Sequence, residues 1–276
     1  MLSILNNISS LQAQNSLNIN STSLKTTLQQ LSTGQRINSG ADDAAGLAIA
    51  NGLQANVTAL TQSVQNASDG VGLLQVADGA LSQITTLLNR AVTLATEAAS
   101  GTVSDPQRTS LDAEFQSIAT EITTIGSKTT YNGAAIFAGG STLTVFMSDS
   151  SGAGTSSVGV AMVTVDAGNL NGASLTADAL TTAAAATTAL GDINAAIADV
   201  AALRGTFGAS SNQLQAATNV MNNQITNIQN AESGIMDANI GTTTSNLAKF
   251  TVLQQTGIAA LQQSNQMSQS VLKLLQ

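Results

Sequence analysis

The chain has 276 residues, with Asp+Glu 16 against Lys+Arg 8, no His, no Cys, one Pro and 2% aromatics. Without imidazole or thiolate the usual acid–base, nucleophilic and zinc chemistries are missing, so neither an enzyme nor a cofactor or metal centre is expected. A net charge of −8 offers no basic patch for nucleic acid or an anionic membrane.

At the N-terminus, MLSILNNISS has neither the basic start nor the apolar run of a secretory signal, and no stretch of about 18 apolar residues occurs that would predict a membrane span. Absence of Cys fits a protein that leaves the cell without disulfides, and equally fits many cytosolic proteins. From Ile4 to about Leu31 the apolar positions are Ile4, Ile8 and Leu11, then Leu17, Leu24, Leu28 and Leu31. Each group is spaced as on one helix face, with a change of phase between Leu11 and Leu17, which predicts one amphipathic helix with a register slip. Gly34 to Gly40 break it, and Asp42-Asp43 stand where the next helix starts. A carboxylate pair there reads as capping and dipole charge rather than as a metal or acid–base site, because no third ligand is near.

From Leu53 every seventh residue reads Leu53, Leu60, Ala67, Leu74, Leu81, Leu88, Ala95, and the series four residues on reads Val57, Val64, Val71, Asp78, Thr85, Val92, Ala99. Over so many heptads this predicts a helix roughly 70 Å long packed lengthwise against others, the axis of a rod. Asp78 and Thr85 interrupt the second series. A carboxylate there must be partnered, hydrated or turned outward, and Asp78 is read as a polar registration point with Gly72 and Gly79 marking a close neighbour.

Ser104-Asp105-Pro106 starts a further helix with Leu111, Phe115, Ile118, Ile122 and Ile125 in 4-3 spacing, expected to fold back antiparallel. Tyr131-Asn132-Gly133 is a turn, and Ser141–Met147 and Val158–Val165 read as a hairpin around a Gly/Ser-rich loop. A connector then leads to a second long helix from near Leu190, with Ile193, Ile197, Val200, Phe207, Leu214, Met221, Ile225, Ile228 and Ile235 on its seam and Arg204, Ser211, Thr218 and Glu232 interrupting it. After Gly241 a last helix carries Phe250, Leu253, Gly257, Ala260, Ser264, Met267, Val271 and Leu274. The fold class is therefore mainly α: a long antiparallel helical rod or coiled coil with a small β-hairpin insert at about 131–170, and terminal helices that pair as an inner coiled-coil domain. Expected domains are 1–45 with 236–276 (inner coiled coil and connectors) and 46–235 (helical rod).

LSTGQRINSGADDAAGLAIAN (Leu31 to Asn51), NASDGVGLLQVADGALSQI (Asn66 to Ile84), the Asn132-Gly133 turn and QQTGIAALQQSNQMSQSVLKLL (Gln254 to Leu275) resemble the corresponding stretches of bacterial flagellins. The resemblance covers roughly residues 1–140 and 186–276, all but the insert and its connector, and so implies a short form with little or no outer domain. It departs at AESGIMDANI, where the family often has a more basic segment, and at GTTTSNLAKF, which is poor in charge.

The resemblance implies a structural subunit that self-assembles into the extracellular flagellar filament for motility. The alternative it leaves open is a hook–filament junction protein of the same superfamily. Self-assembly is assigned to Ile4, Ile8, Leu11, Leu24, Leu28, Leu31, Phe250, Leu253, Met267, Val271 and Leu274, the terminal helices ordering on assembly. Implied partners are other copies of the chain, the flagellar type III export apparatus through which it would leave unfolded, an export chaperone, and the cap and hook-junction proteins. In many flagellins an innate immune receptor of animals reads a patch on the rod, which Arg90, Leu94 and Glu114 match. Val92 and Thr93 replace a common Arg and Glu there, and Arg90 reads equally as a solvated or filament-interface charge.

Overall fold

In the computed structural model the described residues are 7–139, 141–148, 157–168, 170 and 175–274, with the side chains of 141 and 271–274 outside the description. Five helices, α1 (Ile8–Thr33), α2 (Ala44–Ala99), α3 (Asp105–Lys128), α4 (Ala183–Met236) and α5 (Ile240–Leu274), and four strands, β1 (Thr130–Tyr131), β2 (Ala134–Ala135), β3 (Ser141–Phe146) and β4 (Ser157–Met162), form two compact units. One comprises residues 1–55 and 226–276, the other residues 56–225.

In the terminal unit α1 starts at Asn7, whose Oδ1 accepts from Ser10 N at 3.0 Å, and stops at Gly34, where φ of 74° closes the helix as only glycine does cheaply. Beyond it the two connectors are tied together: Arg36 N donates to Met236 O, Ala238 N to Gly34 O, and Arg36 Nη2 to Ile235 O. Asp42 Oδ2 accepts from the backbone N–H of Asn38 and Ser39 and from Ser39 Oγ, and Asp43 Oδ1 accepts from Gly46 N. Both carboxylates thus act as local caps. The Gln54 amide, oriented with its nitrogen toward Glu232, lies 3.0 and 3.1 Å from that carboxylate's oxygens and partners the charge that interrupts the α4 seam.

Antiparallel pairing of α1 with α5 runs through Asn7 Nδ2 to Ser264 O, Ser10 Oγ to Asn265 Oδ1 and Asn20 Nδ2 to Phe250 O. Covered positions on α1 are Ala13, Leu17, Asn20, Leu24, Thr27 and Leu31, in strict 4-3 alternation; on α5 they are Thr243, Leu247, Phe250, Gln254, Gly257, Leu261 and Ser264. The apparent register slip near Leu11 is therefore two faces of one helix, with Ile8, Leu11 and Ile19 on the other side. On α5 the seam uses Leu247, Gln254 and Leu261 rather than Leu253, Ala260 and Met267, which are exposed.

In the other unit the Leu60, Ala67, Leu74, Leu81, Leu88, Ala95 series of α2 is buried as the heptads predict. Of the series expected four residues on, Val57 is buried, but beyond it the companion lies three residues on, at Ser63, Gly70, Ala77, Ile84, Ala91 and Ala98, while Val64, Val71, Asp78, Thr85 and Val92 are half-buried flanks. Small residues prevail because neighbours come close: a Cβ on Gly70 would lie 2.9 Å from Val145 Cγ2 and 3.2 Å from Leu214 Cδ1. Composition and length would let α2 cross a membrane, and 33% of its most apolar window is buried within the protein.

Arg108, near the start of α3 and 7% exposed, holds the end of α2 by donating to Ala98 O and Ser100 O while pairing with Asp105. The start of α3 is set by Ser104, whose N–H and Oγ both donate to Gln107 Oε1. Asn132 and Gly133, at φ 49° and 78°, make the two-residue turn between β1 and β2 that left-handed conformations require. Strands β3 and β4 form the expected antiparallel hairpin, its Gly/Ser-rich loop falling outside the described residues. Helix α4 begins at Ala183, seven residues before the expected Leu190 (190 − 183), because Thr182 Oγ1 caps Ala185 N and the alanines that follow favour helix; Ala186 and Ala189 are fully buried.

Candidate assembly surfaces

In the terminal unit the seam mixes polar with apolar side chains, and a second apolar set faces outward. Between α1 and α5 the polar groups Asn7, Asn20, Thr27, Thr243, Gln254 and Ser264 alternate with Leu17, Leu24, Leu247, Phe250 and Leu261, while Ile8, Leu11, Ile19, Val252 and Met267 are 57–68% exposed. Exposed too are Leu28, Leu253 and Ile258. A shallow apolar concavity of about 460 Å³ lies against α1 among Ile8, Leu11, Gln12, Gln14, Asn15 and Asn18. Single exposed apolar residues are ordinary, but this many along two paired helices form a stripe that water disfavours.

Among the residues assigned to assembly, Ile8, Leu11, Leu28, Leu253 and Met267 are exposed, and Leu24, Leu31 and Phe250 are half-buried in the pair. Ile4 lies outside the described residues; Val271 and Leu274 belong to α5, but their side chains do not belong to the description. Ile19, Val252 and Ile258 were not singled out from the sequence, although Ile19 stands eight residues after Leu11 and so on the same helix face.

For the receptor patch, Arg90 Nη2 pairs with Glu114 Oε1 at 2.7 Å with both side chains about half exposed, which joins α2 to α3. Leu94 is 1% exposed and faces the core, so it presents no surface; only Arg90 and Glu114 of the three stand where a partner could touch them.

Asp78 and Arg204 meet across α2 and α4 in a fork, Nε to Oδ1 at 2.7 Å and Nη2 to Oδ2 at 3.2 Å. The hydrogen bond to Asp78, then its charge, hold the Arg204 pKa above its ordinary value. Both residues interrupt a seam in the sequence, yet their partnership is legible only once the flanks are seen to face each other. Gly79 meets nothing within 4 Å and Gly72 would meet the Tyr131 hydroxyl at 3.4 Å, so neither marks a helix crossing inside this unit. Asp178, in the segment before α4, has its carboxyl pKa raised by burial and by Asp192 beside it, and one of its oxygens is buried without a hydrogen-bond partner. Among the described residues no group of His, Cys, Asp and Glu is placed to hold a metal ion.

The model of the bacterial flagellin N-terminal helical region matches residues 4–142, and that of the C-terminal helical region matches residues 190–275. Flagellin FlaB1 of Treponema pallidum is 30% identical over 280 aligned residues and the flagellin of Listeria monocytogenes 31% over 288, each match covering 98% of both chains. B-type flagellin of Pseudomonas aeruginosa is 45% identical over 132 residues, but this chain spans only 27% of its length. A crystal structure of Bacillus cereus flagellin superposes with a TM-score of 0.50 at 30% identity, over 56% of this chain and 88% of that one. A Vibrio parahaemolyticus protein described as flagellar hook-associated superposes at 0.58 with 15% identity, over 71% of this chain and 100% of that one, a likeness of fold alone. With both terminal regions matched and full-length relatives at this identity, the chain belongs to the bacterial flagellin family, whose members are structural subunits and not enzymes.

Proposed function

We propose that this chain is a subunit of the extracellular bacterial flagellar filament, and that copies join through the outward apolar stripes of α1 and α5. The observation that carries the reading is the terminal pair's uncovered apolar surface: Leu17, Leu24, Phe250 and Leu261 are partly covered between the helices, while Ile8, Leu11, Ile19, Val252 and Met267 stay outside for another surface. Each such side chain gains about 1.5–3 kcal/mol on full burial, so a few per contact suffice to bind a neighbour. In this reading the chain leaves the cell unfolded through the flagellar type III apparatus with an export chaperone, and meets the cap and hook-junction proteins at the ends of the filament. The hook-junction alternative gains only a fold likeness at 15% identity, against full-length flagellin relatives at 30–31%. In this reading recognition by an innate immune receptor centres on Arg90 and Glu114, both about half exposed.

Seeded polymerisation of the purified chain, followed by sedimentation, tests the proposal. Wild-type protein is expected to form filaments. Leu11→Ser with Leu253→Ser is expected to raise the critical concentration more than about tenfold, since two lost contacts of this size exceed the 1.4 kcal/mol of one decade. Filament growth at the wild-type concentration by that variant refutes the stripe as the contact surface.

A further inference from the structure

The buried seam of α4 in the unit of residues 56–225 repeats with a period of seven: Val200, Phe207, Leu214, Met221. Facing it, α2 repeats Leu60, Ala67, Leu74, Leu81 and Leu88 at the same period. Sliding one helix past the other by a heptad replaces apolar by apolar along these two series, so they specify the register weakly. The steric notch at Gly70, which receives Leu214 Cδ1, would receive Met221 after such a slide, and methionine adapts readily to an irregular gap.

The charged flank behaves differently. After the slide Asp78 faces Ser211 and Arg204 faces Thr85, and both charges lose a two-point hydrogen-bonded partner that hydroxyls cannot replace. Among the described residues no other ion pair joins α2 to α4: Arg90–Glu114 ties α2 to α3, and Arg108–Asp105 lies within α3. Side-chain exposures of 39% for Arg204 and 46% for Asp78 make the pair a weak source of stability, because water already solvates both ions. Its geometry is nonetheless specific to one register.

We propose that the Asp78–Arg204 fork is a positioning pair that selects one heptad register of α2 against α4, and that only this register polymerises. The second clause rests on the filament reading; the first does not. Because the chain has no Cys, introduced thiols report register without background. Val71 and Ser211 stand one heptad from Asp78 and Arg204 in opposite directions along antiparallel helices, so they repeat the geometry of the pair; Val71 and Thr218 are brought to that geometry only by the slide.

The experiment places Val71→Cys with Ser211→Cys, or Val71→Cys with Thr218→Cys, in three backgrounds and measures the yield with a short bifunctional thiol reagent. The backgrounds are wild type, Asp78→Leu with Arg204→Leu, and the exchange Asp78→Arg with Arg204→Asp. The native-register pair is expected to dominate in wild type, the slipped pair to rise several-fold in the double leucine variant, and the exchange to restore the wild-type pattern. A slipped yield that does not rise in the double leucine variant overturns the registration role, whatever its helicity or melting temperature. Seeded growth of the same backgrounds without the thiols is expected to fall in the double leucine variant and to recover in the exchange. Normal growth by a variant that has slipped overturns the link to polymerisation. Failure of the wild type itself to grow on seeds counts against the filament reading, while the thiol yields still decide the register.

Discussion

The terminal unit and the unit of residues 56–225 are built from the same heptad grammar and spend it in opposite ways. On α2 the positions that touch neighbours are Leu60, Leu74, Leu81, Ile84 and Leu88, at 0–2% exposure, whereas on α1 they include Asn20 and Thr27 while Leu11 is 68% exposed. One unit buries its apolar seam within itself; the other mixes amides and hydroxyls with leucines between its helices and leaves a further set of apolar side chains for a surface outside the chain. Thus a 4-3 pattern states that a helix has a face, and the polarity of the residues on that face states whether the partner is within the molecule.

The sharpest way to break this comparison is to cut the same side chain from both units. Leu81→Ala is expected to destabilise the monomer by about 2–5 kcal/mol, seen as a lower urea midpoint, because a fully buried leucine leaves a cavity. Leu253→Ala, on an exposed position, should leave the monomer midpoint almost unchanged. Equal losses in the two variants would show that the terminal stripe is covered within the chain.

A smaller effect is expected at Gly79, where an added Cβ meets nothing within 4 Å. Gly79→Ala should stabilise the monomer by about 0.5–1 kcal/mol, the helix-propensity difference, measured by thermal unfolding. A loss of stability instead would mean that some neighbour in the chain occupies that space.

The smallest effects are in pH dependence, where the two units carry opposite signs. Asp42 has its pKa lowered, first by the Asn38 N–H and then by the Ser39 hydroxyl, so its contribution is present above the ordinary value of 3.8 and lost as pH falls through the lower folded value. Asp178 has its pKa raised, so the folded state holds that proton more tightly. Its penalty is present above the raised value and disappears as pH falls toward 3.8. Relative to wild type, Asp178→Asn should therefore remove a gain in melting temperature on acidification from neutrality toward pH of about 4, and Asp42→Asn should remove a loss below it. Parallel pH profiles for wild type and Asp178→Asn would exclude Asp178 as the titrating group.

Much of this architecture was legible before any coordinates. Asp42 and Asp43 as caps, Ser104 and Pro106 at a helix start, Asn132-Gly133 as a turn and the Leu60-to-Leu88 series as a buried seam all follow from local rules. The companion seam did not follow, because counting apolar residues favours Val64, Val71 and Val92, whereas the buried positions are Gly70, Ala77 and Ala91, and at Gly70 the side chains of Val145 and Leu214 leave no room for a Cβ. On α5 the same counting favours Leu253 and Met267, whereas the covered face includes the polar Gln254. Leu94 matched a surface patch by resemblance and is buried, since a sequence match carries no information on which side of a helix the neighbours lie. The role of Arg108 had no sequence signal, because the carbonyls it holds, at Ala98 and Ser100, lie on the preceding helix end.

The hydrogen bond from Asn7 to Ser264 spans 257 positions, and that from Arg108 to Ala98 spans 10. At about 5–20 residues per second of synthesis, α1 exists for roughly ten to fifty seconds before its partner helix is made, while the junction of α2 and α3 can close almost at once. Time therefore separates the two units as sharply as packing does: the residues that join α2 to α3 are made within seconds of one another, while Asn7 and Asn20 wait for a partner helix that is made last.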